Sequence, residues 1–315
     1  MNVGKVGYRT LDSTVLRYRG YEEPSLLQGP AVGGDGAVIR HGDGYLMFAS
    51  DPITGAGSES GKFLVDINSN DIAALGGDPS WMTVTLLLPP TSTEGDIEEI
   101  MKGIDKEASE LKIAIAGGHT EIVSQLQQPI LSGSMVGLGQ RFLDPQAVEY
   151  GDQVILSGAA GIEGTAILAD LREEQLRESG VPQETLKESR SFLKELSVLE
   201  EARIGRKEAK LMHDPTEGGI IGALAEMADL IDKEISLRQD DIPIREQTRE
   251  ISRVLDIDPL RLISSGSLLY IFNPDKVAHL KDQLESGEVN VIGEIKEEGT
   301  PLKIEQDELW KVLER

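Results

Sequence analysis

Four glycine pairs punctuate the chain, at Gly33-Gly34, Gly76-Gly77, Gly117-Gly118 and Gly218-Gly219, and each has an acidic or imidazole side chain close by. A glycine pair stops regular structure and lets backbone approach a ligand closely. A chain cut in this way is divided into short strands and helices, with polar groups delivered at their ends. Hydrophobic residues make up 39% and aromatics only 4%, so the core between these breaks is aliphatic. With 315 residues there is enough chain for two domains of ordinary size.

Charge narrows the partners. Acids outnumber bases 55 to 31, a formal charge of −24. Such a surface repels nucleic acid and anionic lipid, while leaving room for ATP at a locally positive or metal-bearing site. There are no cysteines, which excludes disulfides, zinc–thiolate sites and thiol catalysis. The start has no apolar segment of a signal peptide, and no apolar run has the length of a membrane span. The expectation is a cytoplasmic protein.

Patterning predicts strands over 37–40 and 45–50, around the turn His41-Gly42-Asp43-Gly44, after an irregular stretch to about residue 35. A helix is predicted over 62–75, stopped by Gly76-Gly77, then a strand over 81–88 ended by Pro89-Pro90. Ile97, Ile100, Met101, Ile104, Ala108 and Leu111 recur at helical spacing. Strands at 113–116 and 130–138 follow, and Asp144-Pro145 is the boundary candidate, dividing the chain into 1–143 and 144–315. Beyond it, 153–157, 268–272 and 289–292 read as strands, and 161–171, 220–231 and 275–285 as helices. The charged stretch 172–210 keeps a leucine stripe and reads as a solvated helical face. Both halves mix strands and helices, an α/β or α+β pattern.

Several clusters can carry chemistry. Asp35 lies among glycines just before a strand, in Gly33-Gly34-Asp35-Gly36. Asp51 directly follows the strand at 45–50, where a carboxylate can hold Mg²⁺, a hard cation that prefers oxygen. Each also fits a plain turn. Lys62, Asp66 and Asn70 share one helical face, with Asp71 beside it, in an otherwise apolar helix. Buried charges need partners; a Lys62–Asp66 ion pair is the simplest one. Gly55 to Lys62 imitates a phosphate-binding P-loop, but the spacing is wrong and Phe63 stands where Ser or Thr is required. Gly117-Gly118-His119-Thr120-Glu121 follows a strand. His213-Asp214-Pro215-Thr216-Glu217-Gly218-Gly219 precedes a helix, where Gly218-Gly219 would let phosphate approach the helix start.

The ordered motifs GGDGAVI, FASDP, GKFLVDINSNDIAALGG, AIAGGHTEIV, GDQVILSGAAGIEGTAIL and HDPTEGGIIGALAEMA resemble the ATP-binding superfamily of aminoimidazole ribonucleotide synthetase, thiamine monophosphate kinase, selenophosphate synthetase and the hydrogenase-maturation dehydratase. The likeness spans residues 30 to 300, and DPTEGG and IEGTAIL look nearest to the dehydratase branch. It implies two α+β domains, the first forming a homodimer through its sheet and the second an α/β sandwich, with ATP near the domain boundary. It implies that Asp35, Asp51 and Asp71 hold Mg²⁺ and triphosphate, that Lys62 neighbours phosphate, and that Asn70 completes an Asn-Asp pair. Gly34, Gly117, Gly118 and Thr120 would border the nucleotide, and Asp214 would serve from the second domain. The implied chemistry is phosphorylation of an amide, phosphate or carboxylate oxygen on a small molecule or a protein tail. Three departures stand out. His119 replaces an acid, with Glu121 as a possible substitute. Glu217 replaces an arginine. The sequence shows no terminal cysteine of the kind on which the dehydratase carries its substrate. A non-catalytic nucleotide- or partner-binding module is the alternative.

Overall fold

The computed structural model describes residues 3–54, 59–284, 289–298 and 301–314. Residues 55–58 of the P-loop imitation and residue 285 of the helix expected at 275–285 lie outside them. The chain divides into two units: a smaller one of Glu23–Gly29 and Asp35–Phe142, and a larger one of Met1–Glu22, Pro30–Gly34 and Leu143–Arg315. The early segments 1–22 and 30–34 thus fold with the chain beyond 143. Residues 8–16, expected to be irregular, are helical, beginning with α1 (Tyr8–Leu11).

The smaller unit contains β1 (Leu26–Gln28), β2 (Ala37–His41), β3 (Gly44–Ala49), β4 (Pro52–Ile53), α2 (Ser60–Ala74), β5 (Asp78–Leu88), α3 (Glu94–Glu110), β6 (Ala114–Ile122) and β7 (Ile130–Gly139). Its sheet runs β1-β2-β3-β7-β5-β6, with β4 also paired to β7. Among the described residues of this unit only β5 and β6 pair in parallel, joined through α3 as a parallel crossover requires. Alternation decides the faces. Met47, Met82, Val84, Leu86, Leu131 and Met135 are buried in one core cluster with Leu64, Ile72, Ile100 and Ile104 of the two helices. The opposite face is apolar where it meets water: Phe48, Trp81 and Leu138 are 41%, 43% and 42% exposed. Phe48 and Trp81 both register with Val136, so they form one cross-strand row.

The strand expected at 113–116 runs on to Ile122, straight through Gly117-Gly118. Parallel pairing to β5 continues along its whole length, with a shift in register after Met82. The glycine pair therefore lies within a strand rather than ending one.

The larger unit continues with β8 (Gln153–Ser157), α4 (Ile162–Leu171), α5 (Glu173–Glu178), α6 (Gln183–Ser191), α7 (Leu199–Gly205), β9 (Leu211–His213), α8 (Gly219–Ile231), β10 (Glu234–Leu237), α9 (Glu246–Leu255), β11 (Leu268–Phe272), α10 (Val277–Gln283), β12 (Val289–Lys296) and α11 (Glu308–Leu313). An antiparallel sheet β10-β12-β8-β11-β9 forms its centre. Ile220, Leu224 and Met227 of α8 join the core with Leu156, Leu269 and Ile271. A second cluster gathers α4, α6, α9 and α11 through Leu168, Leu186, Ile251 and Leu309. Leu186 and Leu196 of the charged stretch are buried, so its leucine stripe packs inward while its charges face water. Among the described residues no helix is long and apolar enough to cross a membrane.

Candidate active site

The smaller unit gathers its acids through one helix. Every residue of α2 from Leu64 onward is buried, including Asp66, Asn68, Ser69, Asn70 and Asp71. A helix that carries so many polar groups into a core must satisfy them there.

Asn68 shows how. Its Oδ1 accepts from the Asp51 backbone N–H at 3.0 Å. Its Nδ2 donates to the Asp51 carbonyl at 3.2 Å and to the Leu64 carbonyl at 2.9 Å. The Asp51 carbonyl also accepts from the Gly133 N–H at 3.0 Å. Residue 133 has to be glycine here, because a Cβ would come 2.7 Å from Asn68 Nδ2. Asn68 thus fixes the peptide of Asp51 where the chain leaves β3. The sequence reading overlooked it in favour of Asn70; the signal was an asparagine one turn before Asp71 on a buried helix.

Asp51, Asp35 and Asp71 follow from this arrangement. Ala37 pairs with Phe48, so Asp35 and Asp51 lie at the same end of the β2–β3 hairpin. Asp71 lies three residues beyond Asn68, on the same helical face. Asn70 is fully buried beside it. The three aspartates offer only carboxylate oxygen, the donor chemistry that suits Mg²⁺.

Lys62 faces elsewhere. Its ammonium bonds Asp66 and lies 3.6 Å from Glu107 of α3. Burial opposes the charge on Lys62, but Asp66 and then Glu107 hold its pKa above the ordinary lysine value. Burial raises the Asp66 carboxyl; Lys62 opposes that rise, and the nearby Glu107 adds to it. In the structure, then, Lys62 bridges two helices.

On β6, His119 Nε2 lies 3.2 Å from Glu121 Oε2, both exposed. Thr120 points to the opposite face of the strand. Gly118 is held so close to β5 that a Cβ would meet the Val84 carbonyl at 1.9 Å. Packing alone therefore requires glycine at 118.

In the larger unit, Asp214 follows β9 and is buried. Its neighbour His213 lies 3.4 Å from Glu226 of α8. Glu226 is held down at about 2: burial opposes ionisation, but His213 and Lys5 outweigh it. The Gly218 N–H donates to Asp307 Oδ2 at 2.6 Å, so a carboxylate of this chain takes that donor. Gly34 belongs to the larger unit and Asp35 to the smaller one.

Family models for the AIR synthase related protein match this architecture, the N-terminal domain over residues 33–139 and the C-terminal domain over residues 149–302. The chain belongs to the AIR synthase related protein family. A protein of Methanocaldococcus jannaschii described as a hydrogenase expression/formation protein is 31% identical over 247 residues, 75% of this chain and 70% of that relative. The thiamine-monophosphate kinase of Pyrococcus horikoshii is 27% identical over 289 residues, 87% of this chain and 86% of the kinase. A solved structure of AaThiL complexed with AMPPCP and TMP shares the fold at a TM-score of 0.74 and 18% identity, covering 98% of this chain and 97% of that one. The matched regions of this AIR synthase related protein include Asp35, Asp51, Asp66, Asp71 and Asp214.

Proposed function

We propose that this family member is an ATP- and Mg²⁺-dependent enzyme that phosphorylates an oxygen of a separate acceptor, an amide, phosphate or carboxylate. The observation that carries the proposal is the clasp of Asn68 on the Asp51 backbone, which uses a buried polar side chain to fix the stretch of chain that bears this carboxylate. Asp35, Asp51 and Asp71 would hold the metal, which supplies charge neutralisation on the triphosphate when bound. The acceptor oxygen attacks the γ-phosphorus, the bond from that phosphorus to the bridging oxygen breaks, and ADP leaves. Asn68 and Asn70 position the aspartates. Lys62 is assigned to the bridge between α2 and α3. Gly117, Gly118 and Thr120 border the nucleotide. The relatives support this reading because one is a kinase and one solved neighbour binds AMPPCP.

The exposed row Phe48–Trp81 with Leu138 supports a homodimer built on the sheet of the smaller unit. A cytoplasmic location agrees with the charge of −24. The second reading is a module that binds nucleotide without turnover, favoured by Asp307 on the Gly218 N–H and by Glu217 in place of arginine. Phosphate release from ATP, measured with and without a panel of carboxylate, amide and phosphate acceptors, separates the two. Acceptor-stimulated release supports the enzyme; tight ATP binding with no release under any condition supports the module.

A further inference from the structure

One short stretch of the larger unit is cationic in an otherwise anionic chain. Between residues 3 and 21 lie Lys5, Arg9, Arg17 and Arg19 against a single acid, Asp12, while the whole chain has a formal charge of −24. Half of its six tyrosines, Tyr8, Tyr18 and Tyr21, fall in the same stretch. Arginine and tyrosine are both enriched where proteins meet.

The inner side of the stretch is tied down. The Tyr8 hydroxyl bonds Asp229 near the end of α8, and that carboxylate raises its pKa. Leu11 and Leu16 are half-buried. The outer side carries Val15, Tyr18 and Tyr21, which are 53%, 70% and 83% exposed. The Tyr18 N–H donates to the Val15 carbonyl at 3.1 Å, which prolongs the helical turn and keeps both side chains on one side. The Arg17 guanidinium lies over the Tyr18 ring, 4.6 Å from its centroid, and Arg19 Nε donates to the Leu16 carbonyl at 3.2 Å. Among the described residues none of Arg9, Arg17 and Arg19 has a carboxylate partner, although acids outnumber bases 55 to 31. Glu22 and Glu23 follow, and Glu23 accepts from Ser25 instead. A guanidinium stacked on a ring is already ordered, and it keeps N–H groups for a carboxylate from outside.

We propose that residues 15–21 are a docking surface for an acidic segment of another protein. Its carboxylates pair with Arg17 and Arg19, and its apolar side chains cover Val15, Tyr18 and Tyr21. Charge complementarity selects this occupant. A nucleic acid carries too dense a charge to settle beside a body this anionic. A short acidic segment carries less charge and brings the apolar side chains that Val15 and the two rings require.

Fluorescence anisotropy of the full chain with a fluorescein-labelled peptide of alternating glutamate and leucine tests this. The glutamine–leucine peptide and an oligothymidylate of equal charge are the controls. Saturable binding of the acidic peptide is expected, at least tenfold tighter than either control. It should weaken at least threefold between about 50 and about 200 mM salt. Arg17→Gln combined with Arg19→Gln should weaken it tenfold or more, and Tyr18→Ser threefold or more. These positions are exposed, so the fold is retained, as circular dichroism checks. Arg253→Gln, at an exposed arginine of α9, should bind like the wild type. An absence of saturable binding, equal binding of either control, or a double variant that binds as Arg253→Gln does overturns the proposal. The surface lies in the larger unit and its test makes no use of ATP, so it stands or falls apart from the nucleotide assignment.

Discussion

Asn68 holds both the N–H and the carbonyl of Asp51, from a position 17 residues away in sequence. Replacing it by alanine strands the part-buried Asp51 N–H, at a cost of about 1–3 kcal/mol, while the Asp51 carbonyl keeps its bond from the Gly133 N–H. Asn68→Ala should lower stability by about 1–3 kcal/mol in urea unfolding. It should also weaken ATP affinity at least tenfold while Asp51 itself remains in place. Unchanged ATP affinity in a destabilised variant would reduce Asn68 to a packing role.

The Lys62 bridge gives a pH-dependent prediction. Lys62→Met leaves Asp66 and Glu107 facing each other inside the α2–α3 interface. Breaking a buried pair costs about 3–5 kcal/mol, and the partial exposure of Lys62 brings this to about 2–3. The Asp66 carboxyl is already raised by burial and rises further without the ammonium. A group raised in the folded state is stabilising while protonated and loses that contribution as pH increases. The variant should therefore be closer to wild type at pH 5 than at pH 8. Equal losses at both would show that Asp66 carries no such shift.

Asp307 and Glu163 are each pushed up to about 7, chiefly by burial. Their contribution is complete below the ordinary carboxylate range and is lost as pH rises through about 7. Its upper bound is a few kcal/mol. Glu226, held at about 2, acts in the opposite direction, but its contribution is lost only as pH falls towards 2. Melting temperature should therefore fall from pH 5 to pH 8. Asp307→Asn, neutral throughout, should flatten the slope. A variant with the wild-type slope would show that Asp307 ionises normally.

The outer face of the β3–β7–β5 sheet predicts an association. Phe48→Glu or Trp81→Arg places a charge in the exposed apolar row. Burial of one such ring stabilises an interface by about 1.5–3 kcal/mol, so either change should weaken a dimer at least tenfold in sedimentation equilibrium. A wild-type chain that sediments as a monomer at high micromolar concentration contradicts the dimer.

Much of the smaller unit was legible because its signals are local. The apolar run after Lys62 and its Gly76-Gly77 stop foretold α2, and short apolar runs with their turn and proline breakers foretold β3, β5 and β7. The Lys62–Asp66 pair is an i, i+4 relationship that sequence displays directly. What stayed hidden was long-range. Asp307 reaches Gly218 across 89 residues, and no local pattern announces it. The role of Asn68 appears only once α2 packs beside the end of β3. Gly117-Gly118 looked like a terminator; pairing with β5 overrode the local signal. Residues 1–22 carry too little apolar periodicity to reveal that they fold with the chain beyond 143.

The most direct test of the nucleotide site is calorimetric titration of ATP with Mg²⁺ into the wild type and into Asp71→Asn, with folding of both checked by circular dichroism. We expect saturable binding by the wild type that is lost on chelating Mg²⁺, and at least tenfold weaker binding by the variant. Equal affinity in the two proteins, or binding indifferent to Mg²⁺, would contradict the assignment of Asp35, Asp51 and Asp71 as the metal-holding set.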